Sequence, residues 1–168
     1  MSAFNTNNRW IKWSVLTTFL LSCVNLSFAQ GILTINAIQP IHFGTICVTG
    51  PGGTVALGYD GQRSSTGNVL LLPVAPIAQP AIFEMKICEG GTFTLTFDAT
   101  TILTNSNNKS TLAMDIGPTE KGINGASITI NSDCINMTPL RVGGTLHIPD
   151  LAIPGIYSGS FAVTLNQE

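Results

Sequence analysis

The chain has 168 residues, of which 44% are hydrophobic and only 10% charged, with a formal net charge of −2. Its length suits one domain of ordinary size. The hydrophobic content is too high and the charge too sparse for a disordered chain, and scattered cations without a basic stripe argue against nucleic acid as a partner.

The first 29 residues read as a secretory signal. Arg9 and Lys12 supply a positive start, Trp13 to Leu26 is apolar but interrupted by Ser and Thr, and Ser27-Phe28-Ala29 offers a small-x-small cleavage site before Gln30. Residues 1–29 are therefore expected to be removed, leaving 30–168 as one domain exported to the periplasm, the cell surface or the medium. The apolar part is short for a spanning helix, and no later stretch approaches the ~20 apolar residues a span requires. A rival reading places a lipid on Cys23, because Leu20-Leu21-Ser22-Cys23 resembles a lipobox. Against it, Leu21 stands where such motifs usually carry a smaller residue, and apolar chain continues past Cys23. Export, or a lipid at Cys23, is the only membrane contact expected. Loss of Arg9 and Lys12 leaves five cations against nine carboxylates, a mature charge of −4.

Beyond residue 30 nearly every segment alternates. Leu33, Ile35 and Ala37 share one face, and the phase restarts after Pro40 with Ile41 and Phe43. Asp60-Gly61 is a hairpin-type turn signal. Ala81, Phe83, Met85 and Ile87 alternate with Ile82, Glu84 and Lys86; Phe93, Leu95 and Phe97 alternate with threonines. Asn105 to Ser110 is a polar loop, followed by Leu112, Met114 and Ile116, then Ile128 and Ile130, then Leu146 and Ile148. In the tail, Tyr157, Gly159, Phe161, Val163 and Leu165 fall on every second residue, which describes one terminal strand with a buried face. Gly52-Gly53, Gly90-Gly91 and Gly143-Gly144 each precede Thr and an apolar run, as a turn or bulge feeding a strand would. No Gly-Lys-Ser/Thr follows them, so none is a phosphate loop. Helix-period spacing is absent, and many short strands at roughly ten-residue spacing predict an all-β, single antiparallel β-sandwich.

Export sets the redox context for Cys47, Cys88 and Cys134, since an oxidising compartment favours pairing. An odd count leaves one thiol over. Sequence does not choose among the three pairings; Cys88 with Cys134 is preferred because each sits at a strand edge, the alternative being three small buried hydrophobes. No Cys/His cluster has zinc spacing, and no cofactor is expected. His42 and His147 lie between apolar neighbours, so alternation turns both outward. The carboxylates are dispersed along the chain, with no sequence-close acid/base pair, and no nucleophile elbow occurs. Arg63, on a polar turn, reads as the cation of a cross-strand or loop-ordering salt bridge sooner than as a contact to a ligand carboxylate or sugar.

Several segments occur in a set order. They are Phe43-Gly44-Thr45, Gly52-Gly53-Thr54-Val55, Gly61-Gln62-Arg63-Ser64-Ser65-Thr66-Gly67, Pro80-Ala81-x-Phe83, Val142-Gly143-Gly144-Thr145-Leu146 and Gly155-x-Tyr157-Ser158-Gly159-x-Phe161-x-Val163-Thr164. The ordered set resembles the bacterial secreted family called "domain of unknown function 4402" across essentially the whole mature chain. The resemblance implies an immunoglobulin-like, pilin-like sandwich with a cell-surface or fimbria-like role. It supplies no catalytic residues.

The expected function is thus non-enzymatic: a structural or adhesive subunit that pairs β-strands with itself or with other surface subunits. Leu33, Ile35 and Ala37 form one candidate assembly strand, either as a donor or as the first strand of the domain. Tyr157, Phe161, Val163 and Leu165 form the other. The alternative is a self-contained secreted binding module that recognises glycan or protein through its loops, with Asn105 to Ser110 and Thr119 to Gly125 as candidate surfaces.

Overall fold

The structure, a computed structural model, describes residues 33–131 and 133–168, with the side chains of 133 and 134 outside the description. The signal peptide and Cys23 readings therefore lie outside the described residues. The described chain is all β and antiparallel throughout, arranged as a two-sheet sandwich. Its strands in chain order are β1 (Leu33–Gln39), β2 (Ile46–Leu57), β3 (Arg63–Leu71), β4 (Ala81–Ile87), β5 (Gly91–Phe97) and β6 (Thr100–Asn105). They continue with β7 (Thr111–Thr119), β8 (Ala126–Ile130), β9 (Asp133–Ile148), β10 (Tyr157–Ser158) and β11 (Val163–Gln167). The larger sheet runs β1-β4-β9-β7-β6-β10 with the β2–β3 hairpin joined to β9, and the smaller sheet runs β11-β5-β8.

Alternation builds the core as expected. Val55 and Leu57, Met85 and Ile87, and Leu140 and Val142 point inward from the larger sheet. Phe93, Leu95 and Leu165 answer them from the smaller one, all within a single apolar cluster. Full burial of a side chain of this size contributes ~1.5–3 kcal/mol, so this cluster is what joins the two sheets.

The 16-residue β9 organises the larger sheet. Val142 pairs with Ala81 on one flank and Thr119 on the other, while Gly144 pairs with Leu57 and Ile116. β4 and β2 therefore lie end to end along the same flank of β9, and the partner changes at Gly143-Gly144. Of the expected turn or bulge, the turn is excluded for this glycine pair, because it lies inside β9. A methyl on Gly143 would strike the Leu57 carbonyl and the Gly58 backbone, where the end of β2 crosses the outer face. Gly144 faces inward, and the Phe43 ring stands 3.5 Å from where its Cβ would be.

Three further expectations change. Ile41 to Phe43 is no strand; His42 makes an isolated bridge to Gln79 instead. Arg63–Leu71, read as a polar turn at its start, is the edge strand β3. The tail is not one strand but two. Tyr157 and Ser158 pair with β6 in the larger sheet, and Val163 to Gln167 pair with β5 in the smaller. Between them the chain crosses sheets, held where Thr101 Oγ1 donates to the Ser160 carbonyl at 2.6 Å and the Ala162 N–H donates to Asp98 Oδ2 at 2.8 Å. The inward period survives the crossing, which is why the sequence pattern looks unbroken. Tyr157 fixes the corner before it, its hydroxyl donating to the Ile153 carbonyl at 2.6 Å, as in a tyrosine corner.

Candidate functional site

The residues expected to drive assembly lie at sheet edges but do not converge. Leu33, Ile35 and Ala37 sit on β1, opposite Ile87, Met85 and Phe83 of β4, and β1 is one end of the larger sheet. Leu33 and Ile35 pack against the core, so this segment occupies the position of a first domain strand. Tyr157 lies on β10, at the far end of the same sheet. Val163 and Leu165 lie on β11, an edge of the smaller sheet. Phe161 falls in the crossing, and its ring meets Phe83 edge-on. That contact brings the crossing against the residue paired with Ala37.

The ionisable groups are mostly structural ties. Arg63 donates from Nη1 to the Phe43 carbonyl at 2.8 Å and from Nη2 to the Leu72 carbonyl at 3.1 Å. It binds two connecting segments to the start of β3 through their carbonyls, and among the described residues it makes no salt bridge, so the tie is to backbone and not to the carboxylate expected. His42 Nδ1 accepts the Gly44 N–H at 2.8 Å.

Asp115 and His147 meet in space, which their separation in sequence concealed. They stand two positions apart in the β7–β9 register, Asp115 opposite Thr145 and His147 opposite Ala113, on the outer face. His147 Nε2 lies 2.7 Å from Asp115 Oδ2, and Thr100 Oγ1 donates to Asp115 Oδ1 at 2.7 Å. The Thr100 hydroxyl first, and the His147 imidazole second, hold the Asp115 carboxyl below its ordinary value of 3.8. Both residues are about half exposed, and the trio links β6, β7 and β9. Among the described residues, no three His, Cys, Asp or Glu side chains gather as a metal site.

Cys88 is disulfide-bonded. Its expected partner Cys134 has its side chain outside the described residues, so that pairing lies there too. Cys47 is a free, exposed thiol on β2, opposite the exposed Leu70 of β3.

The partner change on β9 also opens a groove of about 500 Å³. Its floor is a cross-strand row on the outer face, since Gln39 of β1 pairs with Ile82 of β4 and Ile82 pairs with Arg141 of β9. Glu120, just after β7, holds Arg141 from the side: Oε2 accepts from Nη1 at 3.0 Å and Oε1 accepts the Arg141 backbone N–H at 3.3 Å. The β2–β3 turn forms the opposite wall. The Gly61 N–H donates to the Gly58 carbonyl, and Asp60 Oδ1 accepts the Gln62 N–H at 3.0 Å. This turn sets Tyr59 and Asp60 over the groove. Sequence reasoning had only the Asp60-Gly61 turn signal and the Thr119–Gly125 loop here, because the five contributing segments become neighbours only when β2 and β4 share a flank of β9.

The Asn105–Ser110 loop closes on itself. The Asn108 carboxamide oxygen accepts from the Ser110 N–H and hydroxyl, and Asn105, wholly buried, accepts the Asn107 N–H at 2.9 Å. Comparison with curated proteins gives no match. The model of the family described as "Domain of unknown function (DUF4402)" matches residues 33–167, from the start of β1 to the end of β11. With every described strand inside that match, the chain belongs to this family.

Proposed function

We propose that the protein is a non-enzymatic exported surface subunit, structural or adhesive, that associates with its own kind or other surface subunits by β-strand pairing. The observation that carries this reading is the outer flank of β1. Leu33–Gln39 contains no charged residue and no proline, and no strand lies beyond it among the described residues. Natural edges are ordinarily blunted by charge, proline or bulges, because bare backbone donors and acceptors template another chain. Here only the register shift between Ala37 and Gln39 interrupts the ladder. Since Leu33 and Ile35 already pack on their own core, the partner strand adds beyond β1 and does not replace it. Export enters through the sequence of residues 1–29.

The test is the state of the native protein on unboiled and boiled detergent gels. A ladder that collapses on boiling is expected. Asn36→Lys places a charge on an exposed position of β1 and should shorten the ladder without moving the monomer's urea midpoint. A wild-type protein that remains monomeric at every concentration would overturn the reading in favour of a closed binding module.

A further inference from the structure

We infer that the groove beside Arg141 is a binding site for neutral oligosaccharide, a function that does not depend on strand pairing. A sugar presents hydroxyls that both donate and accept, together with apolar C–H faces. Its site therefore needs mixed polar groups held rigidly beside a flat or aliphatic surface.

The groove supplies each part. Tyr59 is 40% exposed, so its ring is open to a ligand on the groove wall, and a tyrosine ring offers contact area at low entropic cost. Ile82 forms an aliphatic floor between two polar neighbours, Gln39 and Arg141. Asp60 uses one carboxylate oxygen on the Gln62 N–H, and its Oδ2 accepts from no protein group among the described residues. Arg141 uses Nη1 on Glu120, while its Nε and Nη2 donate to no protein group among the described residues. A planar guanidinium held along one side presents its remaining donors in a fixed fork, so little order need be imposed on binding.

The walls are also preorganised. Gln39 Nε2 donates to the Pro80 carbonyl at 2.8 Å, holding the end of β1 against the start of β4. The β2 crossing over Gly143 sets the height of the Tyr59–Asp60 turn above Arg141, two residues away on the same face of β9. The volume of about 500 Å³ lies within the ordinary range of small-ligand sites.

Charge selects the ligand class. Glu120 already compensates Arg141, and Asp60 leaves the lining with a net negative charge. An acidic sugar would bring a third carboxylate to a site whose one cation is already paired, so neutral glycans are favoured.

The test titrates the purified protein with cellohexaose and a β-linked galacto-oligosaccharide, and with sialyllactose as the acidic counterpart, by calorimetry. Weak millimolar binding of at least one neutral sugar is expected. Tyr59→Ala and Asp60→Asn should each weaken it about tenfold, the size expected for losing a stacking surface or a charge-assisted hydrogen bond. Both positions lie on an exposed turn, and an unchanged urea midpoint would show that each variant is folded. No heat with either neutral sugar at about ten millimolar overturns the proposal. Binding of sialyllactose alone overturns the neutral class, and neutral binding indifferent to both substitutions overturns the site.

Discussion

The ring of Phe161 meets that of Phe83 edge-on, with centroids 5.9 Å apart and planes at 73°. Phe83 belongs to β4 of the larger sheet, and Phe161 to the segment that carries the chain to the smaller one. The contact thus fastens the crossing to the sandwich, at the position where β4 faces Ala37 of β1.

Phe161 is half-buried, so its removal costs less than loss of a fully enclosed ring. Phe161→Ala should destabilise the protein by about 2 kcal/mol, below the ~3–5 kcal/mol of a core phenylalanine. A double-mutant cycle with Phe83→Leu should give a coupling of about 0.5–1.5 kcal/mol, as edge-to-face pairs do. Urea denaturation of the four proteins measures both quantities, and additivity of the two substitutions would show that the ring contact contributes nothing specific.

Gly143 and Gly91 make a matched pair of substitutions. A methyl at Gly143 collides with the backbone of Leu57 and Gly58, neither of which has room to move without parting β2 from β9. At Gly91 it would meet only ordinary contacts at 3.7 Å, from Gln167 and Phe93. Gly143→Ala should therefore cost about 3 kcal/mol, the upper end of overpacking, and Gly91→Ala should stay within about 1 kcal/mol of wild type. Thermal unfolding compares the two, and equal midpoints would mean that β2 does not cross β9 as closely as described.

Asp115 gives the stability a pH dependence with a defined sign. Its carboxyl is held lower in the folded protein than the ordinary value of 3.8, by Thr100 and then by His147. Such a group contributes stability above its unfolded value, and that contribution is lost as pH falls through the folded value. The difference in urea midpoint between wild type and Asp115→Asn should hold steady between pH 5 and pH 6, shrink below about pH 4 and vanish in stronger acid. The pair is half-exposed and screened by salt, so the effect is small and fades at high ionic strength. A midpoint difference independent of pH would remove Asp115 from this role.

Alternation alone determined much of the sandwich. Phe93 and Leu95, Met85 and Ile87, and Ile128 and Ile130 are buried as their spacing predicts, because period two records which face of a strand meets the core. The same rule left β3 and β6 unread. In β3 only Val69 is buried among hydroxyls and glycine, and in β6 the inward position after Leu103 is Asn105, a buried polar side chain that breaks the apolar pattern. It also could not divide the tail, because Tyr157, Phe161, Val163 and Leu165 keep their inward side chains in phase while the backbone changes sheets. Which strands pair is a property of segments far apart, decided by closure around a common core. Only that closure set β2 and β4 on one flank of β9, brought Asp115 to His147, and gathered Gln39, Tyr59, Asp60 and Glu120 around Arg141.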